Sequence, residues 1–367
     1  MSFITAIGTA NPENKFSQST IADFMVKAMQ LGGDDARRLQ ALFRMTGIET
    51  RYSVIADYGR QNEFDFFSNS HDFEPFPSTA SRLLLYRHHA LTISMHAIRK
   101  CLNRIASFDV KTITHLIVVS CTGMYAPGLD IDLVKALNLS THTQRLGINF
   151  MGCYAAFNAL KQADIICHSD STAKVLVVCT ELCSIHFQKQ NTEDNLLANA
   201  LFADGSAAVL VEAQPRKGLN LKPISFYCDL APEGELDMAW TIGDLGFEMR
   251  LSAYVPDIIQ RGIKTLTHTL LEQISQSPGS VEYYAIHPGG RKILEVIEKE
   301  LQLTSEQNKP AYEVLRNFGN MSSPTVLFVL QEVCKNLNGV DDGKKILSFA
   351  FGPGLTLESM VLEIQNH

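Results

Sequence analysis

Three separated segments of the chain hold residues suited to thioester chemistry. Cys153 lies in Asn149-Phe150-Met151-Gly152-Cys153-Tyr154-Ala155-Ala156, behind a glycine and at the opening of a segment with helical apolar spacing. Thiolate, not thiol, attacks a thioester, and the unpaired N–H groups and dipole of a helix start favour the thiolate. His287 ends an apolar run and precedes Pro288-Gly289-Gly290. Proline cannot continue a sheet ladder, so this His sits at a strand end beside a tight turn and faces a cleft. Asn320 stands in Phe318-Gly319-Asn320-Met321-Ser322-Ser323-Pro324, just before the apolar segment 325–330. An amide donates to a developing oxyanion without titrating.

Each residue also has a structural reading. Cys153 reads as a nucleophile or as a buried helix-start thiol, and His287 as a cleft residue or a satisfied core histidine. Asn320 reads as an oxyanion donor or as a turn residue, with Ser322 or Ser323 capping the helix that follows. The remaining cysteines, at 101, 121, 167, 179, 183, 228 and 334, form no CxxC pair and no Cys/His grouping with zinc-finger spacing. They read as reduced, mostly buried thiols, and no metal site is expected.

The elements that must position these groups are those of an α/β protein. Short β-branched runs read as buried strands over 115–120, 174–179, 207–212 and 283–287, and 346–351 with 355–364 read as a hairpin across a Gly-Pro-Gly turn. Helical spacing covers 81–102, 154–167, 253–273 and 291–301. Strands alternating with helices imply sheets covered on both faces. Residues 59–80 read as a long irregular excursion. The polar stretch Gln214–Leu221, with its Pro and Gly, is the expected break between two halves, 1–218 carrying the Cys and 219–367 carrying the His and Asn.

Composition excludes several classes. The 367-residue chain is long enough for two domains or two halves sharing one core. A net charge of −7 without blocks of like charge leaves no footprint for nucleic acid or anionic membrane. No apolar run reaches the roughly 18 residues a membrane helix needs. The first residues, Met-Ser-Phe-Ile-Thr-Ala-Ile-Gly, lack a basic n-region, so a cytoplasmic protein is expected.

On these segments the chain resembles the type III polyketide synthases, the chalcone and stilbene synthase family, and looks like a bacterial-type member. The resemblance runs nearly end to end: Ala6-Ile7-Gly8-Thr9-Ala10-Asn11-Pro12, Leu201-Phe202-Ala203-Asp204-Gly205-Ser206-Ala207-Ala208, Ile286–Gly290, Phe318–Ser323 and Phe351-Gly352-Pro353-Gly354-Leu355 occur in the family's order. It implies a thiolase-like fold of two similar αβαβα halves in five layers, a homodimer, and convergence of Cys153, His287 and Asn320. By the same resemblance Cys153 is acylated by a starter acyl-CoA, with His287 helping to hold it as thiolate. His287 and Asn320 then stabilise the enolate formed as malonyl-CoA loses CO₂. The carbanion attacks the acyl-Cys, and the cycle repeats without metal or redox cofactor.

The resemblance carries further positions. Phe202 matches a gatekeeping Phe, with Met249 as the other half of the gate. Arg44 looks like a grip for CoA phosphates, with Gly289 also at the CoA side. Cys121 and Cys183 stand where the family has cavity threonines, His186 at the intervening hydroxyl position, and Ser322 beside the substrate. Trp240 falls near a small glycine that sets cavity volume, so its indole would limit the number of extensions. The implied reaction is iterative condensation, closing to an alkylpyrone, alkylresorcinol or related phenol. A ketoacyl synthase III, performing one condensation onto a carrier protein, shares the Cys-His-Asn set. A non-catalytic thiolase-fold scaffold and a redox or metal role for Cys179 and Cys183 fit less well. Starter, number of extensions and ring closure depend on cavity shape, as does delivery by CoA or by a carrier.

Overall fold

The computed structural model describes residues 1–367. Thirteen strands run β1 Phe3–Ala10, β2 Asn14–Ser17, β3 Thr50–Ser53, β4 His115–Ser120, β5 Gln144–Asn149, β6 Lys174–Leu182, β7 Asp204–Glu212, β8 Leu219–Leu230, β9 Met238–Gly243, β10 Gly246–Leu251, β11 Tyr283–Ile286, β12 Lys345–Gly352 and β13 Thr356–Asn366. Ten helices run α1 Gln18–Ala28, α2 Gly33–Met45, α3 Thr79–Leu102, α4 Leu129–Leu137, α5 Ala155–Ser169, α6 Glu193–Leu201, α7 Val255–Glu272, α8 Arg291–Leu301, α9 Ser305–Phe318 and α10 Thr325–Cys334.

Nine strands join in the order β11-β12-β13-β8-β1-β7-β6-β4-β5. The middle of this row is a seam, because β1 and β8 share one register pair, Ile4 with Leu221. On one side β1-β7-β6-β4 carries two antiparallel pairings and then a parallel one. On the other, β8-β13-β12-β11 repeats the same sequence of pairings. The second half thus duplicates the first, with β5 as the additional edge strand. Helices α5 and α10 lie in the same core and touch strands of the opposite half as well as their own. Helix α3 covers the outer face on one side and α7 on the other.

Alternation explains why the strands read as continuous apolar runs. In β6, Val175, Val177 and Cys179 enter the core around α5 and α10, while Leu176 and Val178 enter a second core under α3. Both faces are buried, so period-2 polarity vanishes. The irregular excursion expected over 59–80 spans 60–78, since Thr79 and Ala80 already open α3, and it is anchored: Phe64, Phe67 and Phe73 pack around Phe24 of α1. The Asp57 carboxylate accepts from the backbone N–H groups of Asp65, Phe66 and Phe67.

The structure adds elements that the sequence reading passed over. Leu219–Leu221, placed in the polar break, open the twelve-residue strand β8. Its Pro223 is tolerated because it sits at a register shift opposite Leu362. Strand β5 is an exposed, polar edge, which hides it from an apolar pattern. The β9–β10 hairpin pairs Trp240 directly with Met249.

Candidate active site

Duplication brings the two helix starts together. Cys153 lies in the tight turn Gly152–Tyr154 that runs into α5, and Asn320 precedes α10, the counterpart of α5. Gly152 has φ +74°, and a Cβ there would lie 2.3 Å from Pro353 Cδ. Glycine is therefore required both for the backbone conformation and for the close approach of the 352–354 turn. The Cys153 sulfur faces the Asn320 side-chain amide at 3.9 Å.

The orientation of that amide is fixed by its neighbours. Asn320 Oδ1 accepts from the Ser322 N–H at 2.8 Å. Its NH₂ is left to face Cys153 and the Gly289 carbonyl, 3.4 Å away. Ser322 holds φ +58° to make this contact. The backbone of Asn320 is also pinned, donating to Leu201 O at 2.9 Å and accepting from Ala203 N at 2.8 Å. Those bonds flank Phe202, so the gate position and the amide share one bridge.

His287 follows β11, and its backbone N–H donates to Phe349 O at 2.8 Å. The ring is fully buried, and neither ring nitrogen has a partner within the protein. Buried polar groups are normally paired, so two free ring nitrogens mark a group kept for something that enters. Cys153, His287 and Asn320 line one inner cavity together with Phe202, Met249 and Trp240. Cys121, Cys183, Ser322 and Gly289 line it as well. Its free volume is about 40 Å³. Burial pushes the Cys153 thiol up to about 12, opposed by hydrogen bonds from Ser322 and Asn320. Burial also pushes the His287 imidazole down to about 3. A lone charge on either group is disfavoured here.

The cavity wall is built from aromatic and sulfur groups. Trp240 Nε1 donates to Cys121 O at 2.8 Å, holding the indole over the site. The Cys121 sulfur accepts from Gly152 N at 3.0 Å, which ties the wall to the nucleophile's turn. Cys183, Phe202, Trp240 and Met249 also border a side chamber that reaches Ile21 and Met25 of α1. His186 lines that chamber and not the inner cavity. Its Nε2 donates to Thr122 O at 2.7 Å, its Nδ1 accepts from Phe247 N at 2.9 Å, and its ring stacks on Phe247 at 4.2 Å. Both nitrogens are spent on backbone, so His186 braces the β9–β10 hairpin where it borders the side chamber. Burial keeps it neutral, with its pKa down to about 3.

An outer cavity of about 770 Å³ opens between α2, α6 and α8 and shares Leu251, Gly289 and Ile293 with the inner one. A Cβ on Gly289 would come within 3.0 Å of Ile293 Cδ1, so glycine keeps this passage open. The outer cations are Arg38, Arg291 and Lys292. Arg44 is exposed and does not border it. Helical spacing is the reason: Arg38, Leu42 and Met45 share one face of α2, and Arg44 lies on another.

Glu181 escaped the sequence reading. It is fully buried at the end of β6 and accepts from Cys121 N, Thr122 Oγ1 and Ser323 Oγ at 2.9, 2.7 and 2.6 Å. One carboxyl thereby links the Cys121 wall to the segment that follows Asn320. Burial raises its pKa to about 7. A signal was present, since an acid inside the run Lys174–Cys183 is out of place in a strand buried on both faces.

Comparison with known proteins identifies the family and the fold. Residues 1–215 match the N-terminal domain, and residues 225–365 the C-terminal domain, of the chalcone and stilbene synthases. A putative chalcone synthase of Bacillus subtilis is 29% identical, the match covering 98% of each chain. The alpha-pyrone synthesis polyketide synthase-like Pks18 of Mycobacterium tuberculosis is 29% identical over 98% of this chain and 91% of its own. The probable polyketide synthase 1 of Dictyostelium discoideum is 29% identical over 99% of this chain, which spans only 11% of that protein. Among solved structures, the C-terminal type III polyketide synthase domain of Steely1 from Dictyostelium superposes with a TM-score of 0.90 at 27% identity, covering 99% of both chains. PKS-I of the brown alga Ectocarpus siliculosus gives 0.91 at 28% identity, covering 99% and 98%. With both domains matched across a thiolase-like fold, the chain belongs to the chalcone and stilbene synthase family and is a type III polyketide synthase, an acyltransferase acting on acyl-CoA and malonyl-CoA.

Proposed function

We propose that Cys153 carries the acyl chain, that His287 and Asn320 stabilise the malonyl enolate, and that the product is a short alkylpyrone, alkylresorcinol or related phenol. The observation that carries this reading is the His287 ring, fully buried with two unpartnered nitrogens in the cavity that holds the Cys153 sulfur. A thioester carbonyl entering past Gly289 meets His287 and the Asn320 NH₂, the two neutral donors an enolate needs. Arg38 and Lys292, neither in an ion pair, are the cations we assign to the CoA phosphates at the outer cavity. The bond-making and bond-breaking steps of this scheme use only the three side chains and the thioesters. The name of the Mycobacterium relative, which refers to alpha-pyrone synthesis, supports a pyrone as the first product to seek.

Two further parts of the reading concern assembly and setting. The exposed edge strand β5, with Leu146 41% exposed, is suited to pair with a second copy, which supports a homodimer. No helix is long and apolar enough to cross a membrane. Eight free thiols support a reducing, cytoplasmic setting.

The test is product mass after incubation with malonyl-CoA and acyl-CoAs from acetyl to long-chain and aromatic. Products with two or more added acetate units are expected. Single-condensation products, or activity only with carrier-protein substrates, would replace this reading by that of a ketoacyl synthase.

Trp240 sets the expected limit. Its indole, fixed by the bond to Cys121 O, fills space in a cavity with about 40 Å³ free. Trp240→Gly removes that side chain, and we expect products longer by at least one acetate unit with the same starter. An unchanged product spectrum would show that the limit lies elsewhere in the wall.

A further inference from the structure

We infer that Arg51 is a positioning residue for the enolate-stabilising step, locking the Phe202 gate and the Asn320 donor into one rigid unit; this rests on the role proposed above for Asn320. Arg51 lies on β3, remote in sequence from every catalytic segment, and is only 3% exposed. Its Nη1 donates to two carbonyls at once, Asn199 O at 2.8 Å and Phe202 O at 2.6 Å. These belong to the final turn of α6 and the residue that follows it. A cation at a helix C-terminus satisfies carbonyls that have no partner in the helix and matches its dipole. The guanidinium also lies over the Phe43 ring, 5.4 Å from its centroid. Burial lowers its pKa to about 10, so it is still charged at neutral pH.

What α6 ends on gives this cap its consequence. Leu201 O accepts from Asn320 N, and Asn320 O accepts from Ala203 N. The carbonyl between them, that of Phe202, is the one Arg51 holds. Gly319, beside Asn320, has φ +70°, and a Cβ there would lie 3.0 Å from both Arg51 Cδ and Leu201 O. The arginine stem therefore backs the amide's own backbone. The carboxylate of Asp204, two residues past the gate, is held by Val54 N and by Ser184 N and Oγ. Loss of the Arg51 cap frees the end of α6 and with it the placement of the Asn320 NH₂. The Cys153 turn hangs instead on Gly152, Cys121 and Pro353.

The experiment compares two rates in the full chain. One is CO₂ release from malonyl-CoA, resolved into kcat and KM. The other is alkylation of Cys153 by iodoacetamide, which needs no oxyanion donor. For Arg51→Met we expect kcat of decarboxylation to fall about 100-fold, the scale of an ångström-size misplacement. KM should change by less than about threefold, and alkylation by less than about tenfold, since the Asn320 contact is only one of the groups that favour the Cys153 thiolate. Arg51→Lys, which keeps a cationic donor at the helix end, should recover most of the loss. Arg51→Gln, which keeps a neutral donor on a shorter stem, should show a selective loss of the same kind and serves if the Met variant does not fold. Equal losses in alkylation and decarboxylation, or unchanged decarboxylation in whichever of Arg51→Met and Arg51→Gln folds, would overturn the inference. A wild-type protein that does not decarboxylate malonyl-CoA would instead overturn the role of Asn320 on which it rests.

Discussion

Cys153→Ala is expected to abolish condensation products, a loss of at least about 10³-fold, while malonyl-CoA is still decarboxylated to acetyl-CoA. The two halves of the chemistry use different atoms. Chain loading needs a nucleophile that is also a good leaving group, and only sulfur at 153 lies at the start of α5 facing the Asn320 amide. Decarboxylation needs donors for the enolate oxygen, the role proposed above for His287 and Asn320. Alanine keeps the backbone and Cβ, so the turn supported by Gly152 and Pro353 is undisturbed. Product masses and acetyl-CoA, read from the same incubation, check both parts. Condensation at the wild-type rate would mean that another thiol of the cavity, Cys121 or Cys183, carries the chain.

The sequence displayed the site better than it displayed the scaffold, and the reasons are physical. Cys153, His287 and Asn320 each sit where a regular element meets a glycine-bearing turn, and such junctions are visible as local composition. The helices α5 and α8 were legible because their apolar residues follow the helical period, and the strands β4, β6 and β12 because burial on both faces leaves short unbroken apolar runs. Strand β8 was not, since Pro223 and a lysine-bearing pattern look like a linker until β13 supplies its partner and the register shift. Arg38 and Arg44 differ only in which face of α2 they occupy, and that is decided by what packs on the helix. His186 shows the converse. Alignment to a cavity position does not reveal that both of its nitrogens are already bound to backbone. Arg51 and Glu181 were illegible as site residues because they act on the site only through long-range bonds, to Phe202 in one case and to Cys121 and Ser323 in the other.

Electrostatics in the inner cavity sets the second large expectation, for His287→Ala. Burial resists a thiolate at 153, whose thiol is pushed up to about 12, and resists an imidazolium at 287, pushed down to about 3. Those directions describe one charge formed alone. We propose that Cys153 passes its proton to His287, which lines the same cavity; that transfer would create both charges together and leave the cavity neutral, so that their mutual attraction offsets desolvation. The N-terminus of α5 adds to the stabilisation of the thiolate side. Removing the imidazole removes the proton's destination, and the thiolate must then form as an isolated buried anion. The midpoint of Cys153 alkylation by iodoacetamide therefore moves to higher pH in His287→Ala, and the rate at pH 7 falls by more than about tenfold. Decarboxylation falls further, by about 10² to 10³, because one of the two enolate donors is gone. The two readouts separate the two duties of the ring: alkylation reports the proton acceptor, and CO₂ release reports the donor to the substrate carbonyl. An alkylation profile that does not move would mean that the α5 terminus and the Ser322 and Asn320 contacts alone activate the sulfur, leaving His287 with the enolate only.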